Sequence, residues 1–415
     1  NITPPVGIPQ RGYASRKDVS QGIHDELYAK ALVFDNGLEK IAIITTDTIG
    51  VSRKHTRRIR ALIEEKTGIP PENVLICSSH THSGPSLSRV WYLPGELGAE
   101  DASYTDVFCR KLAGAVQMAN NSLTEARIGI GIGEIREGIG SNRRVRIDGR
   151  VQIRPLGNMD ISLGEMDNSV NVLKVEDLQG NIRAVLMNYT CHATAAGAPL
   201  LISADYPGYT QQMVENVLDG AVALFAQGAC GNVNPNQYRR FEPPSFEDTE
   251  RMGKLLAAEV LKVVELIETE GGGSVIGSKV GTPLLPIRAE ALSEDIANQS
   301  FKGLKEAKID DIQGDMVETE IQAMRIGNAI LVALPGEPFA EIGLSIKKNI
   351  QSHDESVKAV FVIGYANDIE MAYIPIAKAY DEGGYEPSST ILAKGAGEIL
   401  RDKFRDYSTW FTKPK

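Results

Sequence analysis

Residues 41–77 combine two short β-branched and apolar runs with one longer helical pattern between them. We predict a buried strand over residues 41–45, a helix over residues 52–67 that Gly68 ends, and a second strand over residues 73–77. Glycine commonly ends a helix because it tolerates the left-handed backbone conformation that is needed there. Strand–helix–strand units of this kind are typical of layered α/β cores, whose functional groups lie at strand ends, rather than of helical bundles or β-sandwiches.

Two predicted hairpins add antiparallel strands to this core. Residues 170–176 and 182–189 flank one polar turn, and residues 319–326 and 329–334 flank another. We therefore predict the α/β class, with a layered, mixed β-sheet core flanked by helices.

A long amphipathic helix is predicted over residues 246–268, with Ser245 and Asp248 at the spacing of a capping box. The glycine run that follows it indicates either a linker near residues 270–275 or a loop within one domain. No internal repeat is present, and we expect a single domain over residues 1–415.

Three glycines alternate with isoleucines over residues 129–133. The spacing is loosely similar to a nucleotide-binding loop, but no helix follows it. We predict a strand in tight contact with a neighbouring backbone.

Charge and composition exclude several classes of partner. Lys and Arg total 44 against 54 Asp and Glu, and the net charge of −10 disfavours binding to a phosphate backbone. Apolar runs such as residues 221–226 are far shorter than the roughly 20 residues of a transmembrane helix. The four cysteines are too few for a disulfide framework. We expect a small-molecule substrate, no nucleic-acid partner and no transmembrane segment, while the oligomeric state and the compartment, cytoplasmic or secreted, stay open.

Two of the six histidines stand together directly beyond the strand predicted at residues 73–77. They are His80 and His82, in the run Ser-Ser-His-Thr-His-Ser-Gly-Pro. In an extended segment both imidazoles project to the same side, so both can bind a metal, or one can bind while the other acts in catalysis. An ordinary polar loop is the alternative. His192 also follows a predicted strand, and Cys191 beside it is expected to face the opposite side.

A carboxylate occupies a similar place further along the chain. Glu337 lies in Leu-Pro-Gly-Glu-Pro-Phe, just after the apolar strand predicted at residues 329–334. Carboxylates commonly join imidazoles around a metal ion, so Glu337 is a candidate ligand. Alternatively, it caps a helix that starts near Phe339.

These stretches together resemble the neutral ceramidases, which form the neutral/alkaline non-lysosomal ceramidase family. The similarity starts at Ile-Thr-Pro-Pro, residues 2–5, includes Gly12-Tyr13, and is most specific at His-Thr-His-Ser-Gly-Pro, residues 80–85. It covers most of the chain and implies a neutral-ceramidase-like catalytic domain that binds one zinc ion. The ligands implied by the resemblance are His80, His192, Glu337 and Tyr373.

The resemblance also implies roles in catalysis. His82 is implied to face the substrate, Tyr385 matches the family's active-site tyrosine, and Arg143 matches an arginine that the family directs into its active site. From the residues alone, Tyr373 and Tyr385 can also be core residues with satisfied hydroxyls, and Arg143 can belong to a solvated basic loop. Asp205, in a segment similar to the family's, is expected to act as a cap or hydrogen-bond partner rather than as a ligand.

One position departs from the family pattern. The family has Gly-Asp-Val-Ser-Pro-Asn with an essential serine, whereas residues 231–236 read Gly-Asn-Val-Asn-Pro-Asn, so that Asn234 replaces the serine. An amide cannot act as the nucleophile, but it can form a hydrogen bond to a polarised carbonyl or an oxyanion. We therefore expect Asn234 to assist catalysis.

The predicted function is zinc-dependent hydrolysis of a carboxamide (N-acyl) bond. The zinc ion would lower the pKa of a bound water from about 16 toward 7, and His82 would pass a proton to the leaving group. We expect the substrate to be an amide smaller or more soluble than ceramide, because Asn234 replaces the serine and because the sequence ends at Lys415 without the family's immunoglobulin-like domain. Trp91 and Tyr92 are the aromatic candidates for an apolar groove. The alternatives are an esterase or lactonase on the same site and a catalytically inactive homologue that binds a metal and a ligand.

Overall fold

Three β-sheets and the helices around them carry the polar residues that the sequence singles out. The computed structural model describes residues 1–88, 93, 95–135, 139–155, 162–236, 244–271, 274–292 and 311–405. Its sheets contain both parallel and antiparallel strand pairs, and the predicted α/β class is confirmed.

Sheet A contains the predicted strand–helix–strand unit. In spatial order its strands are Ala29–Asp35, Lys40–Thr46 and Val74–Ser78. The first two strands pair antiparallel and the last two pair parallel. Helix α1 (Arg53–Thr67) connects the parallel pair. The Ser52 side chain accepts a hydrogen bond from the backbone N–H of His55 at its start, and Gly68 ends it with φ of 71°.

Sheet B contains the first predicted hairpin. In spatial order its strands are Val222–Gln227, Ile182–Tyr189, Ser169–Asp177, Ala126–Glu134 and Glu270–Gly271. The hairpin strands pair antiparallel, whereas Val222–Gln227 runs parallel to its neighbour. Part of the proposed linker belongs to this sheet, since Gly271 pairs with Arg127 at the edge. Residues 272–273 lie outside the described residues.

Helix α2 (Ala102–Asn121) packs on sheet A. Helices α3 (Asp205–Val217) and α4 (Phe246–Leu266) pack against sheet B. The Ser245 side chain accepts from the backbone N–H of Asp248 and begins α4 as predicted, although the helix ends two residues earlier than predicted.

The glycine-rich strand of sheet B lies tightly against the end of α4. A methyl group on Gly129 would lie 2.3 Å from Cγ2 of Ile267 and 2.5 Å from the backbone oxygen of Glu268. The predicted close backbone contact is therefore confirmed, and it explains why glycine is needed in this strand.

Sheet C contains the second predicted hairpin. In spatial order its strands are Ile276–Gly281, Ile321–Ile326, Ala329–Ala333 and Ala359–Ile363. The hairpin is antiparallel, and its second strand pairs parallel with Ala359–Ile363. Ile43 of sheet A, Leu186 of sheet B and Phe361 of sheet C belong to one buried apolar cluster, so the three sheets share a core.

Smaller elements complete the described part of the chain. The short paired strands are Gly22–Ile23 with Leu201–Ile202, Gly140–Asn142 with Val233–Pro235, Arg144–Ile147 with Arg150–Ile153, Glu337–Pro338 with Tyr373–Ile374, and the set Leu284–Pro286, Met316–Glu318 and Ile312–Gln313. The other helices are α5 (Ala289–Leu292), α6 (Ala340–His353), α7 (Ala377–Glu382), α8 (Tyr385–Ser388) and α9 (Ala396–Lys403), with 3-10 turns at Pro71–Asn73 and Gly95–Gly98. In the described ranges, each helix is too short or too polar to cross a bilayer.

The candidate site residues follow one strand from each of the three sheets. His80 follows Val74–Ser78 of sheet A, His192 follows Ile182–Tyr189 of sheet B, and Glu337 follows Ala329–Ala333 of sheet C. The fold therefore brings three distant parts of the sequence together.

Candidate metal and active site

Three buried histidines converge at this meeting point. One ring nitrogen from each of His80, His82 and His192 lies within 4.8 Å of the others. Nε2 of His82 is 3.1 Å from Nε2 of His80, and the ring centroids of His80 and His192 are 4.9 Å apart. The cluster is a geometry that can hold a metal ion.

Backbone carbonyls fix the orientation of two of these rings. Nδ1 of His80 lies 2.7 Å from the carbonyl oxygen of Ile49, and Nδ1 of His192 lies 2.7 Å from that of Cys230. Since a carbonyl oxygen can only accept, each Nδ1 must carry the proton that it donates. In the neutral rings, Nε2 of His80 and of His192 therefore presents a lone pair to the centre of the cluster, which is the arrangement of metal-binding histidines.

Glu337 brings a carboxylate oxygen to the same point. Its Oε2 lies 3.1 Å from Nε2 of His192 and 3.4 Å from Nε2 of His80. Burial alone would raise the pKa of Glu337, but the electrostatic attraction of His80 and the close contacts with both imidazoles hold it well below its ordinary value. Burial lowers the pKa of His192 to about 4 despite the neighbouring carboxylate. In these tautomers the carboxylate oxygen of Glu337 faces two unprotonated ring nitrogens, with no proton between them. This donor set fits a zinc ion.

Tyr373 lies directly beside Glu337. The two residues are register partners in the short parallel pair of Glu337–Pro338 with Tyr373–Ile374. Burial and the nearby Glu337 raise the pKa of the Tyr373 phenol well above its ordinary value despite the neighbouring Arg143, so the phenol is protonated at pH 7. Its place in the register puts it next to Glu337.

Arg143 lies between two tyrosines and an asparagine. Its guanidinium carbon is 5.3 Å from the ring centroid of Tyr373 and 5.8 Å from that of Tyr385, and its Nη1 donates to Oδ1 of Asn234 at 3.1 Å. Arg143 is 5% exposed, so the alternative of a solvated basic loop does not hold for this residue. Tyr385 is 46% exposed, so this residue is not part of the buried core.

His82 is held by residues from the N-terminal segment. The guanidinium of Arg16 donates to the backbone oxygen of His82 at 2.6 Å, and the Tyr13 ring meets the imidazole edge-on at 5.0 Å between centroids. Gly12 lies against the ring so closely that a methyl group there would be 2.5 Å from its Nδ1. Burial, together with the neighbouring His80 and His192, lowers the pKa of His82 well below its ordinary value, so its ring is neutral at pH 7 and can accept a proton.

The sequence patterns did not single out two residues of the site, Tyr365 and Glu386. Tyr365 stacks on His80 with 4.0 Å between ring centroids, and its hydroxyl lies 3.0 Å from Sγ of Cys230. Glu386 forms ion pairs with Arg143 and with Arg144. Tyr365 follows a strand of sheet C, as Glu337 does, and that position at a strand end is the feature that would have pointed to it.

The cysteines and Asp205 lie around the site rather than in it. Cys191 is buried in the apolar cluster of sheet B, and Cys230 contacts the Tyr365 hydroxyl. Asp205 has φ of 56° and accepts hydrogen bonds from the backbone N–H groups of Ala195 and Ala196. It anchors the loop after His192, in agreement with its predicted role as a hydrogen-bond partner. Trp91 and Tyr92, the aromatic candidates for an apolar groove, lie outside the described residues.

Comparisons with known proteins agree with the resemblance noted in the sequence. The sequence model of the family described as neutral/alkaline non-lysosomal ceramidase, N-terminal, matches residues 2–247. The neutral ceramidase of Pseudomonas aeruginosa is 24% identical over an alignment 473 positions long, which covers 96% of this chain and 69% of that protein. Neutral ceramidase B of Dictyostelium discoideum is 27% identical over 54% of this chain, but this match covers 33% of that protein.

A solved structure shows the same fold. The crystal structure of neutral ceramidase from Pseudomonas aeruginosa aligns with a TM-score of 0.77 at 22% identity, over 98% of this chain and 72% of that chain. The chain therefore spans about seven-tenths of the Pseudomonas protein and a third of the Dictyostelium relative.

Proposed function

The chain belongs to the neutral/alkaline non-lysosomal ceramidase family, and from this premise we propose that it is a zinc-dependent hydrolase of carboxamide (N-acyl) bonds. The observation that carries the proposal is the convergence of Nε2 of His80, Nε2 of His192 and Oε2 of Glu337 on one point. The tautomers of both histidines are set by backbone carbonyls, so these atoms are presented before any ligand arrives.

His80, His192, Glu337 and Tyr373 would hold the zinc ion. When bound, zinc supplies Lewis-acid chemistry, since it lowers the pKa of water toward about 7 and polarises a carbonyl oxygen. Glu337 contributes one negative charge, and the His192 imidazole stays neutral because burial lowers its pKa to about 4. The first three ligands match the mixture of imidazole and carboxylate that catalytic zinc sites use.

His82 is the residue that moves the proton. Its imidazole is neutral at pH 7, so its unprotonated ring nitrogen can accept a proton from the attacking water, and the ring can deliver a proton to the leaving nitrogen. The contacts of its backbone and ring with Arg16, Tyr13 and Gly12 keep the ring in place during this transfer. A general acid–base contributes about 100- to 10,000-fold to such a reaction when it is held within hydrogen-bond reach.

Arg143, Asn234 and Tyr385 would bind the developing oxyanion or a polar group of the substrate. Asn234 occupies the position of the family's serine, and its amide can donate a hydrogen bond but cannot attack the carbonyl. The guanidinium of Arg143 adds a positive charge in a place where water is largely excluded, which strengthens its effect on an oxyanion.

We further propose that the substrate is smaller or more soluble than ceramide. This part of the proposal is supported by Asn234, which replaces the serine of the family, and by the polar side chain of Arg143, which contacts it. A competition assay between a short-chain N-acyl substrate and a detergent-dispersed long-chain ceramide tests it, because specificity is the ratio of their kcat/KM values. Preference for the long-chain ceramide would refute it.

The proposed reaction is tested by measuring hydrolysis of short N-acyl and ester substrates before and after chelation, with zinc content measured in parallel. We expect N-acyl turnover that chelation abolishes and added zinc restores. Hydrolysis confined to the esters would identify an esterase or lactonase instead. Stoichiometric metal without any turnover would identify a protein that binds metal and ligand without catalysis.

A further inference from the structure

Glu386 is a buried carboxylate that bridges two arginines. Its Oε1 accepts from Nε of Arg143 at 2.8 Å, and its Oε2 accepts from Nη1 of Arg144 at 2.8 Å. Glu386 is 1% exposed, and both arginines are buried as well. A buried charge is tolerated when it is paired and hydrogen-bonded, and charge-assisted bonds to a planar guanidinium also fix its direction.

Arg143 passes this orientation on to Asn234. While its Nε is held by Glu386, its Nη1 donates to Oδ1 of Asn234 at 3.1 Å. A guanidinium can only donate, so the oxygen of the Asn234 amide must be the end that faces Arg143. The Nδ2 group is thereby turned away from Arg143 and left available for another acceptor. Asn234 directly follows Val233, whose carbonyl oxygen lies 3.1 Å from Nδ1 of His192.

Arg144 uses the same carboxylate to fix the segment that carries Tyr385. Its Nη2 donates to the backbone oxygen of Gly383 at 2.9 Å, while its Nη1 holds Glu386. Gly384 has φ of 103°, and a methyl group there would lie 3.1 Å from Nη1 of Arg144. The turn at Gly383 and Gly384 therefore packs closely against Arg144. Tyr385 lies between this turn and Glu386, and Arg144 holds both.

We propose that Glu386 is a positioning residue for the hydrolytic site. Its carboxylate holds Arg143, and through Arg143 it fixes the Asn234 amide with Nδ2 toward the carbonyl of the substrate. This inference rests on the proposed function, because it assigns a donor role to Asn234 in that reaction. In this proposal Glu386 acts through Arg143 rather than by contact with the reacting atoms.

The test is the kinetics of Glu386→Gln in the zinc-loaded protein with a short-chain N-acyl substrate. The change keeps the shape of the side chain but removes its charge and turns an NH2 group toward one arginine. We expect kcat to fall about 10- to 100-fold, the range seen when a residue that orients a metal-site group is lost. KM should stay unchanged, because the lost interaction is made in the transition state.

Glu382→Gln is the matched control. Glu382 lies on the same segment and pairs with Arg144 at 3.3 Å, whereas Glu386 pairs with Arg143 as well. We expect Glu382→Gln to keep the wild-type kcat, and both variants to keep the wild-type zinc content. An equal loss in the two variants would overturn the inference, because it would show a general effect on the segment.

A double-mutant cycle with Asn234→Ala separates positioning from a structural role. If Glu386 acts through Asn234, Glu386→Gln costs far less in the Asn234→Ala background than in the wild type. Losses that simply multiply would refute this route. Should Glu386→Gln fold poorly, Glu386→Asp keeps the charge with a shorter reach, and the same cycle applies to it with the same two outcomes.

The result for the wild type distinguishes the two proposals. A zinc-loaded wild type that hydrolyses no N-acyl substrate refutes the proposed function and the role of Asn234 with it. An active wild type with an unaffected Glu386→Gln variant refutes the role of Glu386 alone.

Discussion

Replacing Gly12 by alanine should impair catalysis because the added methyl group would displace the imidazole of His82. The methyl carbon would lie 2.5 Å from Nδ1, 2.6 Å from Cγ and 2.8 Å from Cβ of His82. The ring cannot simply yield, since its Nε2 is 3.1 Å from Nε2 of His80 and the Tyr13 ring meets it edge-on. Gly12 also has φ of 121°, which alanine adopts only under strain.

The size of the effect follows from these distances. To reach an ordinary van der Waals separation of 3.4 Å, the closest ring atom must retreat from 2.5 Å, a movement of about 0.9 Å. A misplacement of about 1 Å in a catalytic group costs about 100-fold in rate. The strained backbone should add about 1–3 kcal/mol to the loss of folding stability. We therefore expect kcat/KM to fall about 100-fold, together with a lower unfolding temperature.

Gly7→Ala is the control that separates these two effects. Gly7 has φ of 97° in the same N-terminal segment, and a methyl group there would have nothing within 4 Å. It should lose stability through backbone strain while keeping the wild-type kcat/KM. The assay is steady-state hydrolysis of a short N-acyl substrate, with thermal unfolding and zinc content measured on each variant. A folded, zinc-loaded Gly12→Ala protein with wild-type kcat/KM would show that the position of His82 does not matter to the reaction.

Three further predictions concern the metal, pH and packing. His80→Ala and His192→Ala should each lose stoichiometric zinc in metal analysis; full retention in both would refute the ligand set. Burial raises the pKa of Asp47 from 3.8 to about 6, so the folded state holds this proton more tightly than the unfolded chain does. The contribution of Asp47 to folding stability is therefore present below pH 4 and is lost as pH rises toward 6. Urea midpoints should show this decline, and an equally steep decline in Asp47→Asn would contradict it. Gly129→Ala should cost about 1–3 kcal/mol of unfolding free energy by overpacking, whereas Gly114→Ala in α2, with open space around it, should be stabilising; equal midpoints would contradict the tight contact.

Local sequence signals were sufficient for most of the fold. Helix α1 ends before Gly68 as predicted and begins at Arg53, one residue after the predicted start, because the Ser52 side chain caps it. Both hairpins and the tight contact of Gly129 are likewise present. The end of α4 was placed two residues too late, since Ile267 is apolar enough to continue the pattern but has an extended backbone.

The site was accessible from the sequence only in part. Position at a strand end indicated His80, His192 and Glu337 separately, but their meeting depends on contacts such as His192 with Glu337 across 145 residues, which no local pattern encodes. Tyr373 and Arg143 were identified through the resemblance to the family.

Only the tertiary structure distinguishes the roles of neighbouring residues that have the same chemistry. Arg143 and Arg144 look alike in the sequence, yet one reaches Asn234 and the other holds the turn at Gly383. Tyr365 has φ of 55°, a backbone conformation that a bulky side chain adopts when its surroundings enforce it. Such a conformation cannot be inferred from the residue type.

The central claim is that zinc bound by the histidine and glutamate cluster makes this chain an N-acyl hydrolase. The most direct measurement is turnover of a short-chain N-acyl substrate by protein whose zinc content is determined before chelation, after chelation and after zinc is restored. We predict that turnover follows zinc content to a stoichiometry of about one ion per chain, as expected for a mononuclear site. Undiminished N-acyl turnover in protein shown to be free of metal would contradict the claim.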